Sequence, residues 1–86
     1  MSSRYYLRLQ VDDCPGVISA VTQILAGRSI SISSLVQHEA REAGGSVALV
    51  ILTHPARERE VRSALDEIAR LPFNRSAVKL LRIEDL

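Results

Sequence analysis

The sequence predicts an α+β fold, in which one four-stranded antiparallel sheet carries two helices on a single face. Three observations predict it: four stretches with the side-chain pattern of strands, two stretches with helical spacing of apolar residues, and their order, βαββαβ. A chain of 86 residues is long enough for one such domain. We expect the domain to span residues 4–84, with residues 1–3 and 85–86 as short tails.

The first half of the chain predicts a strand, a helix and a second strand. Alternating apolar and polar side chains over residues 5–12 are typical of a strand with one buried face. Helical spacing of apolar residues then predicts a helix over about residues 15–26, with Gly27 as its left-handed C-cap. Alternation resumes at Ile30 and predicts a second strand that ends at His38 or Glu39.

The second half predicts a turn, a central strand, a helix and a last strand. The turn is expected at Ala43-Gly44-Gly45. Residues 46–54 are apolar on both faces, which is typical of a central strand covered by helices on one side and by another surface, such as a second subunit, on the other. Apolar spacing from Val61 predicts a helix that ends near Leu71-Pro72, and residues 77–83 are expected to form the fourth strand.

The order of these elements predicts how they assemble. Two split βαβ units with right-handed crossovers close into a ferredoxin-like βαββαβ sandwich, which leaves one sheet face uncovered. The second strand then lies at an edge, and its Ser31, Ser33 and Ser34 without Pro or Lys leave that edge open to pairing. We therefore expect a homodimer or a higher oligomer, with these edge strands as the candidate contact.

Composition and charge exclude several classes of function. The formal net charge is +1 and the basic residues are scattered, so we expect no nucleic-acid partner and no membrane partner. A single cysteine, Cys14, excludes an internal disulfide and a metal site of several thiolates, and it fits the reducing cytoplasm. No G-x-G-x-x-G follows a strand, so we expect no cofactor in this chain.

The candidate binding site is the turn between the first strand and the first helix. A Pro-Gly turn at Pro15 and Gly16 that leads into a helix leaves backbone N–H groups able to bind a carboxylate. Asp13 can accept hydrogen bonds from an ammonium group, and it can also serve as the helix N-cap. For Gly16 we favour a conformational role at the turn over direct ligand contact. One loop could thus hold both ends of a free amino acid.

The same loop carries a resemblance to a known family. Asp13-x-Pro15-Gly16-Val17 after a strand, followed by Ile24-Leu25-Ala26 and Ile30-Ser31-Ile32, resembles the ACT domain, a ligand-binding regulatory module of amino-acid metabolism. Further segments in the correct order resemble the C-terminal regulatory domain of homoserine dehydrogenase, over about residues 4–84. These segments are Tyr5-Tyr6-Leu7-Arg8-Leu9, Ile30-Ser31-Ile32-x-Ser34 with Gln37-x-Glu39, Thr53-His54 with Glu58, and Arg82-Ile83-Glu84.

The resemblance implies a function and a set of site residues. ACT domains dimerise and bind an amino-acid effector at the interface, and for homoserine dehydrogenase the implied effector is threonine. The chain itself would catalyse no reaction and would regulate the NAD(P)-dependent catalytic domain of a parent enzyme, which is absent from these residues. The implied effector residues lie in the loop of one subunit and on strand two of its neighbour, and we add Gln37: Asp13, Cys14, Pro15, Gly16, Val17, Ile18, Ser31, Ile32 and Gln37.

Two alternative functions stay open. An ACT-like oligomerisation scaffold would need no ligand. An RNA-binding module would stack bases on aromatic side chains of its central strands, and Tyr5 and Tyr6 on the first strand are the residues that fit this function.

Overall fold

The structure is a computed structural model, and it describes residues 2–12, 15–38, 46–72, 74 and 79–83. The elements are β1 (Ser2–Asp12), α1 (Val17–Gly27), β2 (Ile32–His38), β3 (Ser46–Thr53), β4 (Ala56–Arg57), α2 (Glu58–Ala69) and β5 (Lys79–Ile83). The strands form an antiparallel sheet of order β2-β3-β1-β5, and the short strand β4 pairs with the beginning of β1. The predicted α+β class and βαββαβ order are confirmed, and β2 lies at a sheet edge as expected.

Strand β4 is an addition to the predicted set of elements. It follows β3 after His54 and Pro55, and it pairs Ala56 with Ser3 and Arg57 with Ser2. Strand β3 ends at Thr53, and pairing resumes at Ala56, directly after Pro55, which has no N–H group to donate to a ladder. The chain then enters α2 directly from β4.

Several boundaries differ from the predicted ones. Helix α1 begins at Val17 with Gly16 at the N-cap position, so Asp13 does not occupy the N-cap as one interpretation had it. Strand β2 begins at Ile32 because Ile30 packs into the core instead of pairing. The predicted turn at residues 43–45, and residues 77 and 78 of the last strand, lie outside the described residues.

The C-terminus of α1 does not use Gly27 as its left-handed residue, contrary to the prediction. Gly27 is the last helical residue, and the positive φ of 58° belongs to Ser29. The N–H of Ser29 donates to the Ala26 carbonyl at 3.0 Å and that of Ile30 to the Leu25 carbonyl at 3.0 Å. This hydrogen-bond pair is a Schellman motif, in which the residues after the helix close back on its last turn.

Ser29→Gly is expected to stabilise the protein by about 0.5–1 kcal/mol. A non-glycine residue in the left-handed region is strained by about 1–2 kcal/mol, and glycine relieves that strain. Part of the relief is offset because glycine has more conformational freedom in the unfolded chain. Urea denaturation at one fixed protein concentration measures the difference. Ser29→Ala, which keeps the strain, serves as the control. A Ser29→Gly protein less stable than the parent would contradict the motif.

The core lies between the sheet and the two helices. From Tyr5 onward in β1 and throughout β3, the odd-numbered side chains point toward the helices and are buried, whereas the even-numbered ones are half-buried or exposed. The buried helix residues belong to the same cluster, which places both helices on one face of the sheet. The helix residues are Val17, Val21 and Leu25 of α1 with Val61, Ala64 and Ile68 of α2.

No helix covers the opposite face of the sheet in the described part of the chain, and apolar side chains lie on it. Tyr6 pairs with Leu52 on one side and with Leu81 on the other, and Val50 pairs with Val36. Leu81 is 63% exposed and Val36 is 46% exposed. This face is the second apolar side of β3 that the sequence predicted.

An ion-pair cluster joins the two helices, and sequence spacing did not predict it. Arg28, at the C-terminus of α1, donates from Nε to Glu67 at 2.8 Å and from Nη1 to Glu60 at 3.3 Å, both on α2. The hydrogen bond to Glu67 is the main cause that raises the pKa of the Arg28 guanidinium. On α2 itself, Glu58 and Arg62 form an ion pair one helical turn apart, at 3.8 Å. Neither described helix combines the length and apolarity required to cross a membrane.

Candidate functional site

A pocket of about 360 Å³ lies where β1 passes into α1. The end of β1, the start of α1, the start of β3 and the end of β2 form its walls. Volumes of this size are typical of small-molecule sites in proteins, which start at about 300 Å³. The lining residues are Val11, Asp12, Pro15, Gly16, Val17, Ile18, Ser19, Gln37, Val47 and Leu49.

Strand register explains how residues distant in sequence meet in this pocket. Val11 pairs with Val47, and Leu49 pairs with Leu9 on one side and with Gln37 on the other. Because directly paired residues share a sheet face, the Gln37 side chain lies on the same face as Leu49. The edge strand β2 therefore brings an amide to the apolar wall built by β1 and β3.

The start of α1 supplies hydrogen-bond donors to the pocket. Gly16 has φ 88°, and its carbonyl accepts from the Ala20 N–H at 3.0 Å, which is the first bond of the helix. The N–H groups of Val17, Ile18 and Ser19 consequently have no carbonyl acceptor within the helix. With the positive end of the helix dipole behind them, they are suited to a carboxylate.

The pocket combines apolar walls with a few polar groups. Val11, Val47 and Leu49 are buried and form its floor, while Ile18 is 36% exposed at the rim. Asp12 is half-buried and supplies a carboxylate. A ligand with one carboxylate, one ammonium group and a short side chain would therefore find a complementary group for each part.

The structure brings some of the predicted site residues together and separates others. Pro15, Gly16, Val17, Ile18 and Gln37 all line the pocket. Asp13 and Cys14 lie outside the described residues.

Ser31 and Ile32 lie at the other end of β2 from Gln37. Ile32 pairs with Thr53, and the Ser31 carbonyl accepts from the His54 N–H at 2.9 Å. Within one subunit these two residues do not reach the pocket, so a role in it requires the partner that the resemblance implies.

Sequence reasoning missed other residues of the pocket. Asp12, Val47 and Leu49 are not among the predicted site residues: Asp12 ends the alternation of β1, and Val47 and Leu49 belong to the predicted central strand. Ser19 lies in the first helical turn and carried no separate signal. The position of Asp12 directly before the loop was the one signal available, since pairing registers between strands are not visible in the pattern of one chain.

Comparisons with known proteins match most or all of the chain. The model of the ACT domain family matches residues 5–73. Homoserine dehydrogenase from Methylobacillus glycogenes is 42% identical over 86 residues, which is 100% of this chain and 21% of that protein. Homoserine dehydrogenase from Pseudomonas aeruginosa is 38% identical over 84 residues, which is 98% of this chain and 19% of that protein.

A solved structure gives the same match. The crystal structure of a homoserine dehydrogenase from Thiobacillus denitrificans superposes with a TM-score of 0.87 at 38% identity, over 99% of this chain and 18% of that one. The chain thus spans about a fifth of the length of the curated relatives it matches. These matches confirm the resemblance predicted from the loop and strand motifs.

Proposed function

The chain belongs to the ACT domain family, and from this membership we propose that it is the amino-acid-binding regulatory domain of a homoserine dehydrogenase, with threonine as its effector. The similarity of the whole chain to a fifth of such enzymes supports this parent. The single observation that carries the binding proposal is the pocket at the start of α1, where helix N–H groups, a carboxylate and apolar walls converge.

In the proposed complex each part of threonine has a complementary group. The carboxylate accepts hydrogen bonds from the N–H groups of Val17 and Ile18. The ammonium group donates to Asp13, with Asp12 of the pocket lining as a second acceptor. The methyl-bearing side chain packs on the apolar floor near Leu49.

Dimerisation and regulation form the second part of the proposal. The uncovered, partly apolar sheet face and the open edge of β2 support a homodimer or higher oligomer, in which Ser31 and Ile32 of a neighbour complete the pocket. Threonine would regulate the NAD(P)-dependent catalytic domain only by binding one subunit arrangement more tightly than another. Residues 4–84 would form this regulatory domain, which is itself non-catalytic and cytoplasmic.

Calorimetric titration of the chain with threonine tests the binding proposal. Asp12→Asn is expected to weaken binding by about tenfold or more, because a hydrogen bond to a charged group contributes about 1.5–3 kcal/mol. Asp66→Asn is the matched control, since this substitution removes the same charge at a position that is exposed on α2. Equal losses of affinity in both variants would contradict the proposed role of Asp12.

Titrations with serine and isoleucine, and sedimentation with and without amino acids, separate this function from its alternatives. A heat signal with threonine but not with isoleucine supports the proposed effector. An oligomer that binds no amino acid would leave the scaffold function. Affinity for single-stranded RNA at low salt would favour the RNA-binding alternative.

A further inference from the structure

A second pocket, of about 550 Å³, lies at the opposite end of β1 from the pocket at the start of α1. It is formed where the beginning of β1, the start of α2 and strand β5 meet. None of its residues is among the predicted effector residues. The lining residues are Ser2, Ser3, Tyr5, Arg57, Glu58, Arg59 and Arg82.

The lining is strongly positive. It contains three guanidinium groups and one carboxylate, that of Glu58. Oε1 of Glu58 lies 3.8 Å from Nη2 of Arg62, which is outside the lining. Arg57 and Arg59 are exposed and sit on either side of the α2 start. Arg82 has further interactions of its own, and a guanidinium with five N–H donors can serve more than one acceptor.

Tyr5 provides an independent observation that points to a ligand. The residue is only 2% exposed, yet it lines this pocket. Its backbone N–H donates to Thr53 Oγ1 at 3.0 Å, whereas its hydroxyl makes no hydrogen bond with any residue that the structure describes. The hydroxyl oxygen is not among the buried, unpartnered side-chain atoms of the described residues, so it is accessible from the pocket. An O–H donor at a cationic lining is suited to an anionic acceptor.

The start of α2 adds to the same preference. This helix has 12 residues, and its N-cap Arg57 is extended and forms no side-chain cap hydrogen bond. The positive end of the helix dipole therefore lies beside Arg57, in a first turn that also carries Glu58 and Glu60. Serine hydroxyls at Ser2 and Ser3 supply further donors.

We propose that this pocket is a second ligand site, specific for a small phosphate-type dianion, either free phosphate or the phosphoryl group of a small phosphomonoester. Guanidinium groups of Arg57 and Arg59 pair with its oxygens, and the Tyr5 hydroxyl donates to a third. A free amino acid is excluded from this site, because its ammonium group would face several guanidinium groups. This proposal does not depend on threonine binding in the pocket at the start of α1.

Calorimetric titration of the chain with inorganic phosphate, at constant ionic strength set by chloride, tests the site. Tyr5→Phe removes one oxygen and no charge, and it is expected to weaken phosphate binding about tenfold. Without phosphate, the Tyr5→Phe protein should melt at the same temperature as the parent, since the hydroxyl has no partner among the described residues. A parallel titration with glycerol phosphate distinguishes a free ion from a phosphoryl group.

Two double variants distinguish specific phosphate binding in this pocket from general electrostatic attraction to the protein. Arg57→Gln with Arg59→Gln is expected to lose phosphate binding by 100-fold or more at two charge-assisted contacts. Arg8→Gln with Arg70→Gln removes the same charge at exposed positions outside the pocket and should change the affinity less than threefold. Equal losses in both double variants, or full affinity in Tyr5→Phe, would mean an adventitious ion only and would overturn the proposal.

Discussion

Gly16→Val is expected to destabilise the protein by about 1–3 kcal/mol, the usual cost of a non-glycine residue held in a left-handed conformation. Gly16 has φ 88°, and a Cβ built on it has nothing within 4 Å. The cost therefore comes from the backbone conformation and not from a clash. If the backbone at the start of α1 shifts to relieve this strain, the N–H groups of Val17 and Ile18 shift as well. Threonine binding is then expected to weaken.

Gly27 in the same helix is the matched control for Gly16. It has helical geometry, and a Cβ there would also meet nothing within 4 Å. Gly27→Ala is expected to stabilise by about 0.5–1 kcal/mol, because alanine loses less chain entropy in a helix. Urea denaturation of both variants at equal protein concentration measures these opposite signs. Destabilisation by both substitutions would contradict the conformational explanation.

Thr53→Val is expected to destabilise the protein by about 1–3 kcal/mol, the cost of leaving a buried donor without its partner. Thr53 is fully buried, and its Oγ1 accepts from the Tyr5 N–H at 3.0 Å. The ladder between β1 and β3 stops at the pair Tyr6 and Leu52, so the threonine hydroxyl replaces a strand carbonyl for Tyr5. Valine keeps the shape of threonine but cannot accept this bond.

Thr53→Ser is the control variant that keeps this hydrogen bond. Serine keeps the hydroxyl and loses one buried methyl group, so it should cost about 1 kcal/mol through lost burial. The amide of Tyr5 should exchange with solvent faster in Thr53→Val than in Thr53→Ser when hydrogen exchange is followed by NMR. A Thr53→Val protein as stable as the parent would show that the bond contributes nothing.

The candidate site was predictable in part. A Pro-Gly turn before a helix has a local cause, because glycine alone adopts positive φ without strain, and Gly16 does so here. Gln37 was suggested by its place on an edge strand, and the register with Leu49 brings it to the pocket. The cationic pocket around Tyr5 gave no local signal, since Arg57, Arg59 and Arg82 lie on three different elements, β4, α2 and β5.

Local pattern in the sequence determined the order and type of the main elements, because alternation and helical spacing record which face of each element avoids water. It also determined which residues of β1 and α2 are buried. Tertiary structure decided the features that depend on contacts between distant segments. These are the short strand β4, the left-handed conformation of Ser29, the ion pairs of Arg28 with α2 and the walls of both pockets. Such features follow from strand register and helix placement, and these are set by the packing of the whole core and not by any single stretch of chain.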